Sequence, residues 1–157
     1  RAVNRDEMAL IRIRREIEED MTALERIRDE DGSIPDNVPK WIELRTRASL
    51  LHDFYNAIER IFSRIASELN GGVPNTEQWH RDLLRDMSLE LPQIRPPVIS
   101  NELYKALEPF LRFRHLYGFE IEEEKMSDIE AQFNEVHRKT VDELRQFIDW
   151  LGGQAEL

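Results

Sequence analysis

The chain contains no cysteine. That excludes a disulfide framework, a thiolate metal site and a cysteine nucleophile, and it is compatible with a reducing compartment. No apolar run approaches the roughly 18 residues needed to cross a bilayer. The start, Arg1-Ala2-Val3-Asn4-Arg5-Asp6-Glu7, carries no hydrophobic core of the signal-peptide kind. Positive charge is also scarce: 22 Lys and Arg stand against 32 Asp and Glu, a net charge of -10. Proteins that coat a duplex are basic overall, so this balance argues against broad nucleic-acid coating. It leaves room for a local basic site, because the field inside a cleft is set by nearby groups. Glycine is sparse, and its pairs Gly71-Gly72 and Gly152-Gly153 fall where helical patterns stop, so no glycine loop cradles a phosphate. These absences together point to a soluble, cytoplasmic protein with no membrane segment.

What is present is helical periodicity. The length suits one domain, residues 1–157, with a sizeable core. The first helix is expected from about Arg5 to Glu30, with Leu10, Ile13, Ile17, Met21, Leu24 and Ile27 on one stripe. Asp31-Gly32 ends it, and Pro35 and Pro39 mark a loop. The second, from about Lys40 to Asn70, reads as the longest and as central, because Trp41, Leu44, Ala48, Leu51, Tyr55, Ile58, Phe62, Ile65 and Leu69 form a stripe that Leu50, Phe54, Ala57 and Ile61 widen. Asn70-Gly71-Gly72 before Val73-Pro74 is a strong stop, with glycine available for a left-handed C-cap. A third, short helix is expected from Asn75 or Thr76, where Asn75 and Gln78 have capping-box spacing. Pro92, Pro96 and Pro97 imply an extended connection. Ser100 then caps a fourth helix that contains Pro109, where a kink is expected. The last helix runs from about Ser127 to Leu151, ended by Gly152-Gly153. No segment alternates like a strand. The fold class is therefore all-α, an up-and-down bundle of about five helices.

Most candidate chemistry reduces to scaffold. A di-metal bundle site needs two Glu-x-x-His motifs, and only Glu77-x-x-His80 fits. No metal and no cofactor are expected. The run Glu120, Glu122, Glu123, Glu124 reads as a solvated segment favoured by the dipole of the helix after it. His52, Asn56 and Arg60 form a polar line that reads as an exposed face. His80 and His137 carry no distinctive signal. The exception is Arg112-Phe113-Arg114-His115-Leu116-Tyr117-Gly118, where two arginines, a histidine and a tyrosine collect inside an acidic chain. Cations hold a phosphate, and an imidazole moves a proton near neutral pH. Taken alone, a basic cluster at a helix C-terminus is also what the helix dipole favours.

The surrounding segments decide between these readings. Leu50-Leu51-His52-Asp53-Phe54-Tyr55-Asn56-Ala57-Ile58-Glu59-Arg60-Ile61-Phe62, Trp79-His80-Arg81-Asp82-Leu83-Leu84 and Arg95-Pro96-Pro97-Val98-Ile99-Ser100 precede Leu111-Arg112-Phe113-Arg114-His115 and Tyr117-Gly118-Phe119-Glu120 in that order. In this order the chain resembles the HepT-like toxins of the HEPN superfamily, from the first helix to about Glu120. The resemblance implies a HEPN-like helical bundle that forms a homodimer and acts as a metal-independent endoribonuclease on tRNA or mRNA. It implies a cognate minimal nucleotidyltransferase antitoxin that attaches AMP to the motif tyrosine. The family signature is Arg, four to six residues, then His-x-Tyr. His115-Leu116-Tyr117 matches the second half, which makes Tyr117 the AMPylation candidate, and Arg112 or Arg114 is the arginine.

The interior of the motif is short. Two residues separate Arg112 from His115, and none separates Arg114 from His115. Both flanks match, so about four residues, close to one helical turn, are missing by deletion or by omission. The resemblance implies His115 as acid or base and the arginine as the group that stabilises charge on the phosphorane-like transition state. Two copies across a dimer cleft would supply both acid and base. A displacement of 1 Å costs on the order of 100-fold in rate, so the expectation is a weak or silent toxin. The alternative is a non-catalytic helical module that binds a nucleotidyltransferase partner or a nucleotide; a third reading is a purely structural dimer.

Overall fold

The computed structural model describes residues 2–116 and 123–155. Five helices appear in chain order: α1 Arg5–Gly32, α2 Lys40–Leu69, α3 Trp79–Met87, α4 Asn101–Leu116 and α5 Glu123–Ala155. The described residues contain no strand, only an isolated bridge between Leu91 and Arg95. The all-α bundle expected from periodicity is the observed architecture.

Helix α1 begins with a capping box at Asn4. The Asn4 Oδ1 accepts from the Glu7 N–H at 2.8 Å, and the Glu7 carboxylate accepts from the Asn4 N–H at 3.2 Å. Orphan donors of the first turn are thereby satisfied. Ile13, Ile17, Met21, Leu24 and Ile27 are all buried, so the three-and-four spacing defines the inner face. This helix packs against α2 and α5.

Helix α2 touches α1, α3 and α4, which accounts for its wide apolar stripe. Phe54 is fully buried at the junction. Its ring meets Phe110 of α4 edge-on at 5.4 Å and Phe133 of α5 at 5.1 Å. Edge-to-face pairs of this kind are worth about 0.5–1.5 kcal/mol beyond area burial, so Phe54 ties three helices together. Trp41 departs from the expected stripe. It is 62% exposed in the first turn, with the Arg45 guanidinium over its ring at 6.0 Å. The stop of α2 is as read: Gly71 and Gly72 have φ of +80° and +135°, and the Gly72 N–H closes onto the Ala66 carbonyl at 3.0 Å.

Several boundaries differ from the sequence expectation. Helix α3 starts at Trp79, and the Asn75–Gln78 capping box does not form; the Thr76 hydroxyl instead donates to Asp82 at 2.7 Å. Residues 91–98 do not form a simple extended connection. Leu91 and Arg95 bond each other's backbone at 3.0 and 2.9 Å, with Gln93 at φ +69°. The loop is then pinned to α3 through the Val98 N–H on the Met87 carbonyl at 2.8 Å. Ser100 caps α4 as expected, its hydroxyl accepting from the Leu103 N–H at 3.0 Å. Helix α4 continues through Pro109, which gives up one rung of the ladder.

Helix α5, not α2, is the longest, at 33 residues against 30. Its first turn recruits Glu123 and Glu124, carboxylates that the positive end of the helix dipole favours. It also runs through Gly152-Gly153 instead of stopping there. A Cβ on Gly152 would sit 3.0 Å from the Arg14 guanidinium, so this glycine is a close-approach position between α1 and α5.

Arg95 holds the lower end of the bundle. It is 3% exposed. Its Nε donates to the Asn70 side-chain oxygen at 2.9 Å, Nη1 to the carbonyls of Leu89 and Pro96 at 2.8 and 3.0 Å, and Nη2 to the Asp86 carbonyl at 3.0 Å. One guanidinium thus fastens the end of α2, the end of α3 and the loop that leads to α4. Burial lowers its pKa from the ordinary arginine value, and the Asp86 carboxylate opposes that shift.

Candidate functional site

Helix α4 carries the basic cluster on its final residues. Arg112, Arg114 and His115 all fall within the helix, which extends to Leu116. Buried Phe113, Phe110, Leu107 and Leu103 hold that helix on the core. Of the four candidate residues, Arg112 is the one whose side chain is described. That side chain is 64% exposed, with Nη1 3.7 Å from the Glu108 carboxylate one turn earlier. An exposed i, i+4 pair contributes only about 0.3–0.5 kcal/mol, so a ligand phosphate could displace Glu108 at little cost. The side chains of Arg114 and His115 lie outside the described residues, as does Tyr117 altogether.

Arg112 faces a cavity between α3 and α4 of about 200 Å³. His80, Arg81 and Glu77 line it from the α3 side, and Tyr104, Glu108 and Arg112 from α4. Leu84 and Leu111, both buried, form its apolar base. Within this wall the His80 Nδ1 lies 2.7 Å from the Glu59 Oε2 of α2. Glu59 is 8% exposed, between the fully buried Ile58 and Ile61. The Trp79 ring covers the imidazole, with centroids 3.5 Å apart. A carboxylate on Nδ1 receives that nitrogen's hydrogen and leaves Nε2 as the ring's acceptor.

Sequence reasoning passed over this pair. His80 carried no signal, and its partner lies 21 residues earlier on another helix. The available hint was Glu59 itself, a carboxylate amid the apolar run Ala57-Ile58 and Ile61-Phe62. Long charged side chains are rarely buried unless paired.

The other polar features have structural roles. His52 and Asn56 are half-buried and bonded to each other at 2.9 Å, while Arg60 is exposed. The expected polar line is therefore only partly an exposed face. His137 is 2% exposed, with Nε2 2.8 Å from the Leu24 carbonyl and the ring stacked near Phe54. Burial lowers its pKa, chiefly by penalising the imidazolium. Among the described residues no group of three or more His, Asp or Glu is placed to hold a metal ion, and no helix is long and apolar enough to cross a membrane.

Comparison with known proteins places these features in a family context. A family model described as HepT-like protein matches residues 46–151. That span includes most of α2, all of α3 and α4 and most of α5, and with them both the α3–α4 cavity and the basic end of α4. No curated protein and no solved structure matches the chain.

Proposed function

The chain belongs to the HepT-like, HEPN-type family, and on that premise we propose that it is the toxin component of a toxin–antitoxin pair, a metal-independent endoribonuclease of the cytoplasm. The observation that carries the reading is the family match across the segment where α4 gathers Arg112, Arg114 and His115. The chemistry is transesterification. One imidazole takes the 2′-hydroxyl proton, the 2′-oxygen attacks phosphorus, and the departing 5′-oxygen receives a proton from an acid. His115 serves as one of these groups. Arg112 or Arg114 meets the charge on the phosphorane-like transition state. Tyr117 is the residue that a nucleotidyltransferase antitoxin would modify with AMP, and a homodimer would place two such helix ends together.

The shortened motif favours one further reading. With two residues between Arg112 and His115, the pair cannot match the family spacing, and the non-catalytic module that binds a nucleotidyltransferase or a nucleotide gains support. Insertion of about four residues, close to a helical turn, between Arg114 and His115 restores the spacing for either arginine.

The test compares RNA cleavage by the chain with and without that insertion, in the presence of a chelator. Weak cleavage that the insertion raises by about 100-fold, and that His115→Ala removes, supports the toxin reading. If neither form cuts RNA, the ribonuclease reading falls and the binding-module reading stands. Robust cleavage by the uninserted chain, abolished by His115→Ala, would refute the proposed impairment.

A further inference from the structure

The α3–α4 cavity contains an imidazole held as a proton-transfer group would be held. Three observations converge on His80. Glu59 fixes its Nδ1 at 2.7 Å, the Trp79 ring covers one face, and the ring lines a cavity that also receives Arg112. Burying a carboxylate between Ile58 and Ile61 costs desolvation that its partners must offset. A carboxylate there does have a chemical consequence. It selects the tautomer whose acceptor is Nε2, and it balances the charge that the ring gains when Nε2 takes a proton.

The cavity's charges suit a phosphodiester better than a bare anion. Arg81 and Arg112 offer guanidinium groups, and Glu77 and Glu108 stand beside them. A free anion would meet as many carboxylates as cations. A ribose–phosphate unit satisfies both, with its phosphate oxygens on the guanidinium groups and a hydroxyl donating to a carboxylate. Tyr104 supplies an aromatic ring for the adjoining base. At about 200 Å³ the cavity is smaller than a typical small-molecule pocket of about 300–1,000 Å³, so it takes one sugar–phosphate unit of a strand.

We propose that His80, oriented by Glu59, is the general base for RNA cleavage, acting on the 2′-hydroxyl of a nucleotide whose phosphate is held by Arg112. The balance is complete within RNA. The 2′-hydroxyl proton passes to Nε2 of His80, the 2′-oxygen–phosphorus bond forms, and the phosphorus–5′-oxygen bond breaks. The 5′-oxygen is protonated by a second group, the role left to His115, and the product ends in a 2′,3′-cyclic phosphate. This assignment rests on the ribonuclease reading for the reaction, and on the cavity alone for the binding of the phosphodiester.

Two measurements on the full chain separate those supports. The first is cleavage of an end-labelled single-stranded RNA across the pH range in which imidazole titrates. His80→Gln should lower kcat by about 100-fold or more with KM little changed. Glu59→Gln, which keeps volume and hydrogen-bonding capacity, should lower kcat less and move the limb of the pH profile that reports the base. It is also the variant that answers if His80→Gln fails to fold by circular dichroism. Cleavage by His80→Gln within twofold of the parent overturns the proposal while leaving the ribonuclease reading intact.

The second measurement needs no cleavage. A 2′-deoxy dinucleotide, a phosphodiester that cannot undergo the reaction, is titrated into ¹⁵N-labelled protein while the His80 ring nitrogens are observed. A saturable shift, weakened about tenfold by Arg112→Gln, supports the cavity as the phosphodiester site. Absence of any shift overturns it. If the dinucleotide binds but RNA is never cut, the ribonuclease reading and the proton-transfer role fall together, and the cavity remains a strand-binding site.

Discussion

Replacing Arg95 should unfold this protein more readily than replacing any residue of the basic cluster. The guanidinium is 3% exposed and makes four hydrogen bonds, to the Asn70 side chain and to the carbonyls of Asp86, Leu89 and Pro96. Arg95→Ala leaves these acceptors without their donor in a site that water enters poorly. Each buried acceptor so abandoned costs about 1–3 kcal/mol, and partial relaxation lets some find water. The net expectation is about 3–5 kcal/mol, the range for breaking a buried charged network by removal of one partner. For a chain of this size that corresponds to a fall in Tm of roughly 6–20 °C, at about 2–4 °C per kcal/mol. Arg95→Lys keeps the charge but loses the planar fork, since an ammonium cannot reach acceptors spread around both edges of a guanidinium. It should cost about half as much. Urea unfolding followed by far-UV circular dichroism measures both. The midpoint should fall while the slope m stays constant, because the change lies in the folded state. A loss of less than about 1 kcal/mol for Arg95→Ala, the ordinary cost of a point substitution, would show that this network does not hold the ends of α2 and α3.

Two further predictions come from the same packing. Burial lowers the pKa of His137 from 6.5, so the folded protein binds fewer protons than the unfolded chain. Stability from this residue is complete above about pH 6.5 and falls as the pH drops through that value, by up to about 1.4 kcal/mol per pH unit. Urea midpoints between neutral pH and about pH 5 should show that slope, and His137→Leu should flatten it; an unchanged slope in the variant would remove His137 from the account. Gly153 lies in α5, and a Cβ added there would meet nothing within 4 Å. Gly153→Ala should therefore stabilise the protein by about 0.5–1 kcal/mol through helix propensity, read as a rise in Tm; a fall would mean that α5 does not persist through that position in solution.

Legibility of this fold followed the range of the physics involved. The burial of Ile13, Ile17, Met21, Leu24 and Ile27 could be read directly, because helical periodicity is a local property. So could the end of α2, where Gly71 at φ +80° does what a residue with a Cβ does poorly. Errors arose where a local signal was overridden by packing. Gly152-Gly153 looked like a stop, yet α5 continues through both, with the Arg14 guanidinium of α1 close beside Gly152. The Asn75–Gln78 spacing looked like a cap, yet Thr76 bonds Asp82 and the helix starts later. Trp41 fell on the apolar stripe, but that stripe outruns the core at the first turn of α2. The candidate site divided in the same way. Arg112 was visible as part of a motif contiguous in sequence. The Glu59–His80 pair was invisible, because it joins two helices and no spacing rule connects positions 21 apart.

That division bears on what a shortened motif can damage. Arg112, the cavity and the Glu59–His80 pair all lie upstream of the point where the proposed turn would be absent, and their positions follow from α3 and α4 packing on α2. Removing about four residues after Arg114 shifts the downstream residues by roughly 6 Å along a helix axis while rotating them by only about 40°. On an ideal helix such a loss is mainly a translation of whatever follows it, with the facing nearly kept. A site that needs an acid on one side of the phosphate and a base on the other would keep its base and phosphate anchor and lose the reach of its acid. Impairment of this kind lowers the rate of strand cleavage and leaves the affinity for a phosphodiester, and the stability of the bundle, close to those of a chain with the turn in place. Cleavage and binding should therefore separate in this protein, and a titration that shows phosphodiester affinity changing in step with activity on insertion of the turn would place the whole site downstream of Arg114.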